Sequence, residues 1–226
     1  REIAQGLAHE LRNPLTPILG AMDVLRRAHS LGRSDYPEIL HEQASAVVDE
    51  VMRLKELSDS FARFARLPDP TPEQVDLGSL VDGITALYAP GDIVVNRSWG
   101  PSTPTVYADP TQLKTALTNL IKNAVEAMEG GGTLGLGFRE TAEDVTITVQ
   151  DNGPGIPESV RARLFTPYVT TKGSRGTGLG LALVHRIVAE HHGTVAADDA
   201  PDGGARFRVT LPRPPQETAP AQLDTA

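Results

Sequence analysis

The sequence contains no cysteine, which removes disulfides, thiolate metal sites and cysteine nucleophiles together. Aromatic residues make up only 4% of it, a scarcity that suits helices and an open α/β layer better than an aromatic-rich sandwich. No apolar run approaches the roughly 20 residues a membrane-spanning helix needs, and no signal peptide opens the chain. Basic residues are outnumbered, 21 against 29 acidic, and the net charge of −8 argues against a broad nucleic-acid or anionic-membrane footprint. What is present is 226 residues, 39% of them hydrophobic, enough for one or two domains with real cores. The first residue is Arg1 rather than Met. We therefore expect a piece of a longer protein, itself cytoplasmic, with any membrane or sensory part upstream.

The composition changes near residue 67. Residues 1–66 carry 9 basic and 10 acidic side chains, few glycines and two long stretches of helical period. Ile3, Leu7, Leu11, Leu15, Ile18, Met22 and Leu25 mark the first, and Ile39, Val47, Val51, Leu54, Leu57, Phe61 and Phe64 the second. The segment Ser30–Asp35 reads as a turn, with Tyr36-Pro37 starting the second helix. Two such helices make an antiparallel hairpin whose wide apolar stripe calls for a second copy, giving a four-helix bundle on dimerisation. Residues 67–73, rich in proline, form a semi-rigid linker. Residues 74–212 then mix helices (Val75–Tyr88, Pro110–Met128, Leu179–His191) with strands (Ile93–Arg97, Thr133–Arg139, Val145–Gln150, Gly193–Ala197, Ala205–Leu211). This pattern predicts an α+β domain with helices on one face of a mixed sheet. Residues 213–226 read as a disordered tail.

Several familiar patterns mislead. Gly130, Gly132 and Gly135 satisfy G-x-G-x-x-G, but they leave a helix and enter a strand, the reverse of a dinucleotide fingerprint. They form a turn. His9-Glu10-Leu11-Arg12-Asn13 lacks the second imidazole of a zinc-protease helix. His191-His192 ends a helix before Gly193, where polar or cationic caps are common. No P-loop sequence occurs, so any nucleotide must be held by other means.

Four segments resist dismissal when taken together, although each alone has an ordinary structural explanation. Asn119 and Asn123 stand one helical turn apart, and an amide oxygen is a hard neutral ligand able to complete a magnesium shell. In Asp151-Asn-Gly153-Pro-Gly155 the carboxylate could accept a hydrogen bond from an exocyclic amine, while the glycines let a flat ring approach the backbone. Gly176-Thr177-Gly178-Leu179-Gly180 opens a helix and offers free backbone N–H groups to a phosphate. Between the glycine clusters, Leu164–Lys172 carries Phe165, Tyr168 and a cation and looks like a mobile lid.

In this order, these segments resemble the ATP-binding domain of sensor histidine kinases, of the Bergerat fold shared with gyrase and mismatch-repair ATPases. The first half supplies the matching partner: Ala8-His9-Glu10-Leu11-Arg12-Asn13-Pro14-Leu15 is similar to that family's phosphoacceptor box. The wording at Asn13–Pro17 and Tyr168–Lys172 resembles the nitrogen-regulation type. The implied fold class is an α-helical hairpin, a four-helix bundle on dimerisation, followed by an α+β Bergerat-type ATP-binding sandwich.

The resemblance implies ATP and Mg2+ as cofactors, with Asn123 as the metal ligand and Asn119 supporting it. It implies that Asp151 reads adenine over Gly153 and Gly155. Gly176, Thr177, Gly178, Leu179 and Gly180 would present donors to the phosphates. Lys122, Lys172 and Arg175 are candidate phosphate cations, or equally solvated surface charges. His9 would be phosphorylated, Glu10 would hold its other ring proton, and Asn13 would place water for removing phosphate from a partner's aspartate. Gyrase-like enzymes carry a water-activating glutamate where this chain has Asn119, which favours a kinase over an ATP-hydrolysing enzyme or an inert scaffold. Pro14 and Pro17 should bend the helix after His9. The partners implied are a response-regulator receiver domain and a second copy of the chain, with no nucleic acid.

Overall fold

The computed structural model describes residues 2–100, 102–173, 176–201 and 203–213, the side chains of residues 2–5 and 7–9 excepted. Ser174, Arg175 and the expected tail beyond residue 213 lie outside the described residues. The elements, in chain order, are α1 (Glu2–Ser30), α2 (Tyr36–Ala65), β1 (Glu73–Asp76), α3 (Leu77–Tyr88), β2 (Ile93–Ser98), β3 (Thr105–Ala108), α4 (Pro110–Ala127), β4 (Gly132–Glu140), β5 (Asp144–Gln150), α5 (Glu158–Arg161), α6 (Gly180–Glu190), β6 (Thr194–Asp199) and β7 (Ala205–Pro212). They fall into two compact units, Arg1–Pro68 with Pro157–Leu183, and Asp69–Ile156 with the chain from Val184 onward.

In the first unit α1 and α2 pack as the expected hairpin. Gly32 takes a positive φ of 58° just past the end of α1, and its N–H donates to the His29 carbonyl, a turn that favours glycine. The His29 and Tyr36 rings meet edge to face across the turn, 5.6 Å between centroids. The periodicity resolves into two stripes. Leu11, Pro14, Ile18, Ala21, Leu25 and Ala28 are buried or half-buried at spacings of three and four, against Val47, Leu54, Leu57, Phe61 and Phe64 of α2. Leu15, Leu19, Met22, Val48, Val51 and Met52 remain exposed. Leu15, Met22 and Val51, read from sequence within the same stripes, thus lie on a second one, because one hairpin covers only half of a wide apolar face. Pro14 and Pro17 sit inside α1, which continues as helix through both.

The second unit holds a five-stranded mixed sheet, order β2-β4-β5-β7-β6, in which only β2 and β4 are parallel. Strand β5 alternates buried and half-buried residues along its length. Its Val145, Ile147 and Val149 join Leu134 and Leu136 of β4 on the inner face, where α4 covers them with Leu113, Leu117, Leu120 and Ile121. Helices α3 and α4 each start where a carboxylate caps them. Asp76 accepts from Ser79 N–H at 2.7 Å, and Asp109 accepts from the N–H groups of Thr111 at 3.0 Å and Gln112 at 2.9 Å. One expectation shifts: Val75 belongs to β1, not to the helix, because β1 pairs antiparallel with β3 and Asp76 then caps α3.

Leu120 is fully buried at the centre of this core. Leu120→Ala should cost about 2–5 kcal/mol in urea unfolding of the chain, from lost burial plus the cavity left behind.

Candidate functional site

Helix α4 sets the first part of the site. Asn119 and Asn123 lie one turn apart and are both half-buried. Asn119 Nδ2 donates to the Thr115 carbonyl at 2.8 Å, which fixes the amide and leaves its Oδ1 without a hydrogen-bond partner among the described residues. Lys122, one residue before Asn123, places its ammonium over the Tyr88 ring, 5.7 Å from the centroid. Among the described residues no three His, Asp or Glu side chains gather as a metal site. A divalent ion here would take amide oxygens from α4 and the rest of its shell from phosphate and water, a hard-oxygen set that fits magnesium arriving with a nucleotide.

Asp151 follows β5 and is the chain's most buried carboxylate among the described residues, 2% exposed. Its Oδ1 accepts from Gly153 N–H at 2.9 Å and Ala205 N–H at 3.1 Å, while Oδ2 has no hydrogen-bond partner among the described residues. Burial pushes the Asp151 carboxyl above the usual range, against the two N–H donors that pull it down. The glycines are there because backbone crowds them. A Cβ on Gly153 would stand 2.8 Å from the Ala127 carbonyl oxygen, and one on Gly204 only 2.2 Å from the Asp151 carbonyl oxygen. Gly155 has a φ of 79° and faces Gly204. The sequence reading singled out Gly153 and Gly155 but missed Gly204 and Ala205. The Gly203-Gly204 pair opening β7 was the available signal.

The second residue set missed is His191 with Asp109. His191 is buried just past α6; its Nε2 accepts from Asp109 N–H at 2.9 Å and its Nδ1 lies 2.8 Å from the Ile187 carbonyl. Accepting at Nε2 requires the neutral ring protonated at Nδ1. This histidine is an internal tie from the end of α6 to the N-cap of α4, beyond the polar cap expected from sequence. Burial alone would raise Asp109, but the N–H groups of Thr71, Gln112 and Thr111 hold it below the ordinary range.

In the other unit, the lid and the glycine loop fold back on each other. Tyr168 has a φ of 67°, and its N–H donates to the Gly178 carbonyl at 2.9 Å. Gly178, with φ 63°, has no room for a Cβ beside the Tyr168 backbone. Gly176 lies against Thr170 and the Lys172 Cβ, Thr177 Oγ1 accepts weakly from Leu179 N–H at 3.4 Å, Leu179 is buried, and Gly180 begins α6. On α1, His9 occupies a helical position, and its side chain lies outside the described residues. Glu10 is half-buried, and Asn13, one turn after His9, is exposed.

The second unit thus holds a mixed sheet covered by α4, an amide pair on that helix and a buried Asp in D-x-G-x-G, and the first holds the helical hairpin and a glycine loop opening α6. Residues 108–215 match the family described as histidine kinase-, DNA gyrase B-, and HSP90-like ATPase, and residues 1–70 match the His Kinase A (phospho-acceptor) domain. The chain belongs to the sensor histidine kinases of two-component systems. It is 34% identical to the nitrogen regulation protein NtrY of Azorhizobium caulinodans over 99% of this chain and 30% of that one. It is also 34% identical to the sensory histidine kinase/phosphatase NtrB of Rhodobacter capsulatus, over 95% of this chain and 62% of that one. The chain thus spans about a third to three-fifths of these relatives' length. Among solved structures, histidine kinase ThkA in complex with response regulator protein TrrA superposes with a TM-score of 0.75 at 25% identity, covering 96% of this chain and 62% of that one. The ATP-binding domain of PrrB from Mycobacterium tuberculosis matches at 32% identity, covering 65% of this chain and 99% of that one, with a TM-score of 0.53.

Asp151→Asn should keep both backbone bonds at Oδ1. Because burial raises the folded carboxyl, Asp151 favours the folded chain most below the ordinary Asp pKa and loses that contribution as pH rises through its raised value. The stability difference should therefore move in favour of the Asn variant as urea unfolding is repeated from pH 3 to pH 7, while ATP binding by the variant falls. Gly204→Ala, by contrast, should cost about 1–3 kcal/mol or more, since it meets both a positive φ and the Asp151 backbone.

Proposed function

We propose that this chain is the catalytic core of a protein-histidine kinase, which phosphorylates itself on His9 from ATP and passes the group to an aspartate of a response-regulator receiver domain. The observation that carries this reading is Asn119. One turn before Asn123 the chain offers an amide with a free oxygen, not a carboxylate able to activate water. Bound ATP therefore waits for a better nucleophile, and the same chain carries a histidine in a phosphoacceptor box on α1.

In this reading Asn123, supported by Asn119, holds magnesium, and Asp151 Oδ2 receives the adenine amine above Gly153 and Gly155. The N–H groups of residues 176–180 and the Lys172 cation take the phosphates. Magnesium supplies neutralising charge on the phosphate oxygens when bound. The chain's own work is positioning, which is most of what phosphoryl transfer asks of a protein. A neutral imidazole with pKa near ~6.5 has a free lone pair at pH 7. His9 forms the bond to the γ-phosphorus as the bond to the bridging oxygen breaks, and ADP leaves. Glu10, next in the helix, accepts the hydrogen bond of the other ring nitrogen. The regulator's aspartate then takes the phosphoryl group from His9. Asn13, exposed on the turn after His9, orients water for the reverse task of removing phosphate from the regulator. The exposed stripe through Leu15, Leu19, Met22, Val48, Val51 and Met52 pairs with a second copy.

With γ-labelled ATP and magnesium, the wild-type chain should gain acid-labile, alkali-stable label that His9→Ala and Asn123→Ala both lose. Steady ATP hydrolysis surviving His9→Ala would instead mark an ATPase. In a regulator-dephosphorylation assay, Asn13→Ala should lower the rate roughly 10- to 100-fold, the scale of a positioned proton or water contact, while leaving self-phosphorylation in place.

A further inference from the structure

Three consecutive glycines, Gly130, Gly131 and Gly132, carry the chain from the end of α4 into β4 and have no part in the function proposed above. The first two hold positive φ angles of 90° and 106°, which the turn itself demands. Gly132 has a different reason. A Cβ there would stand 2.6 Å from Asn152 Oδ1 and 2.6 Å from Met128 Sδ. Asn152 enters that space to accept from Thr133 N–H at 2.8 Å. The strand register accounts for the bond. Strands β4 and β5 pair antiparallel with Gly135 opposite Gln150, so two residues further on Thr133 falls opposite position 152. There the main chain has already left the sheet, and the Asn152 side chain takes the place of the next ladder acceptor. The turn that carries Asp151 is thus anchored on three sides, all within the second unit. Asp151 ties it to Ala205 of β7, Gly153 packs on the Ala127 carbonyl at the end of α4, and Asn152 ties it to β4.

We propose that Asn152 is a positioning residue: by fixing this turn to β4 it sets the aim of the Asp151 carboxylate, and with it the preference for adenine. Asp151 Oδ1 is occupied by the N–H groups of Gly153 and Ala205, so Oδ2 shifts only as the whole turn shifts. The bond from Thr133 to Asn152 holds the residue next to Asp151, on the side the other two anchors leave open. Discrimination by a buried acceptor depends on its geometry, because a misplaced oxygen neither pairs well with an amine nor firmly rejects a carbonyl. The inference rests on the reading of Asp151 as the acceptor of the adenine amine, and Asn152 acts through that residue alone.

Two substitutions separate aim from mere folding. Asn152→Ala removes the acceptor, and Asn152→Asp keeps an acceptor oxygen at the same reach. Binding of ATP and of inosine triphosphate, each with magnesium, is measured by calorimetry on the full chain for the wild type and both variants. Asn152→Ala should bind ATP about tenfold more weakly and inosine triphosphate as the wild type does, so the preference falls about tenfold. Asn152→Asp should hold the preference within about twofold, since its added charge bears on both nucleotides alike. Amide hydrogen exchange at Thr133, followed by NMR, should quicken in the first variant and stay near wild type in the second. Equal weakening of both nucleotides in Asn152→Ala marks a structural residue and overturns the proposal. An unchanged preference alongside quicker exchange at Thr133 overturns it as well. A wild-type chain that binds both nucleotides equally overturns the reading of Asp151 and takes this inference with it.

Discussion

One buried carboxylate oxygen joins two chain segments that lie more than fifty residues apart. Asp151 Oδ1 accepts from Gly153 in its own turn and from Ala205 at the start of β7, and Asp151 N–H donates back to the Ala205 carbonyl. The two donors hold the turn to the start of β7, although burial outweighs them and keeps the carboxyl above its usual range. Making those bonds forces the neighbours. Gly153 and Gly204 must lack side chains because backbone fills their Cβ positions. The second oxygen has no partner among the described residues, and the proposed function assigns it to the adenine amine. Structure and proposed function thus use the same group at its two ends.

The α4 helix follows a comparable division. Its N-terminus is fixed by Asp109, which accepts from Thr71, Thr111 and Gln112, and whose own N–H is taken by His191. Its apolar face is fixed by the core under β4 and β5. What remains is a short polar face with Asn119 and Asn123, on which the Asn119 amide is already fixed by its bond to the Thr115 carbonyl. In the proposed reading, an amide in place of a carboxylate there changes the chemistry from activating water to holding a nucleotide intact, and the helical hairpin supplies the nucleophile. The proposed kinase is therefore an arrangement in which the nucleotide half withholds reaction and the hairpin half permits it.

Much of this was legible in the residues. Hydrophobic period located the hairpin, proline and glycine located its turn and the linker, and the Asn, Asp and glycine segments stood in an order that only one superfamily resembles. The short pair β1–β3 escaped because four residues carry too little period to distinguish a strand from the first turn of a helix. Asp76, a capping residue before Leu77, was the overlooked sign. Sequence also merged two stripes on α1, since spacing cannot tell which apolar residues face a partner helix and which wait for a second copy. Lys122, a candidate phosphate cation or a surface charge from sequence alone, stands over the Tyr88 ring, a contact no spacing announced. The contacts of Asp151 with Ala205, of His191 with Asp109 and of Asn152 with Thr133 are tertiary. No local pattern encodes them, although each left a trace in a glycine or a histidine without an evident role.

The most direct measurement compares calorimetric binding of ATP and inosine triphosphate, each with magnesium. The two differ at the ring position where an amine would meet Asp151 Oδ2; inosine presents a carbonyl there, acceptor facing acceptor. A carboxylate that reads adenine predicts ATP binding about 100-fold tighter, the scale on which a buried polar group rejects a ligand that cannot pair with it. Equal affinity for the two nucleotides would contradict it.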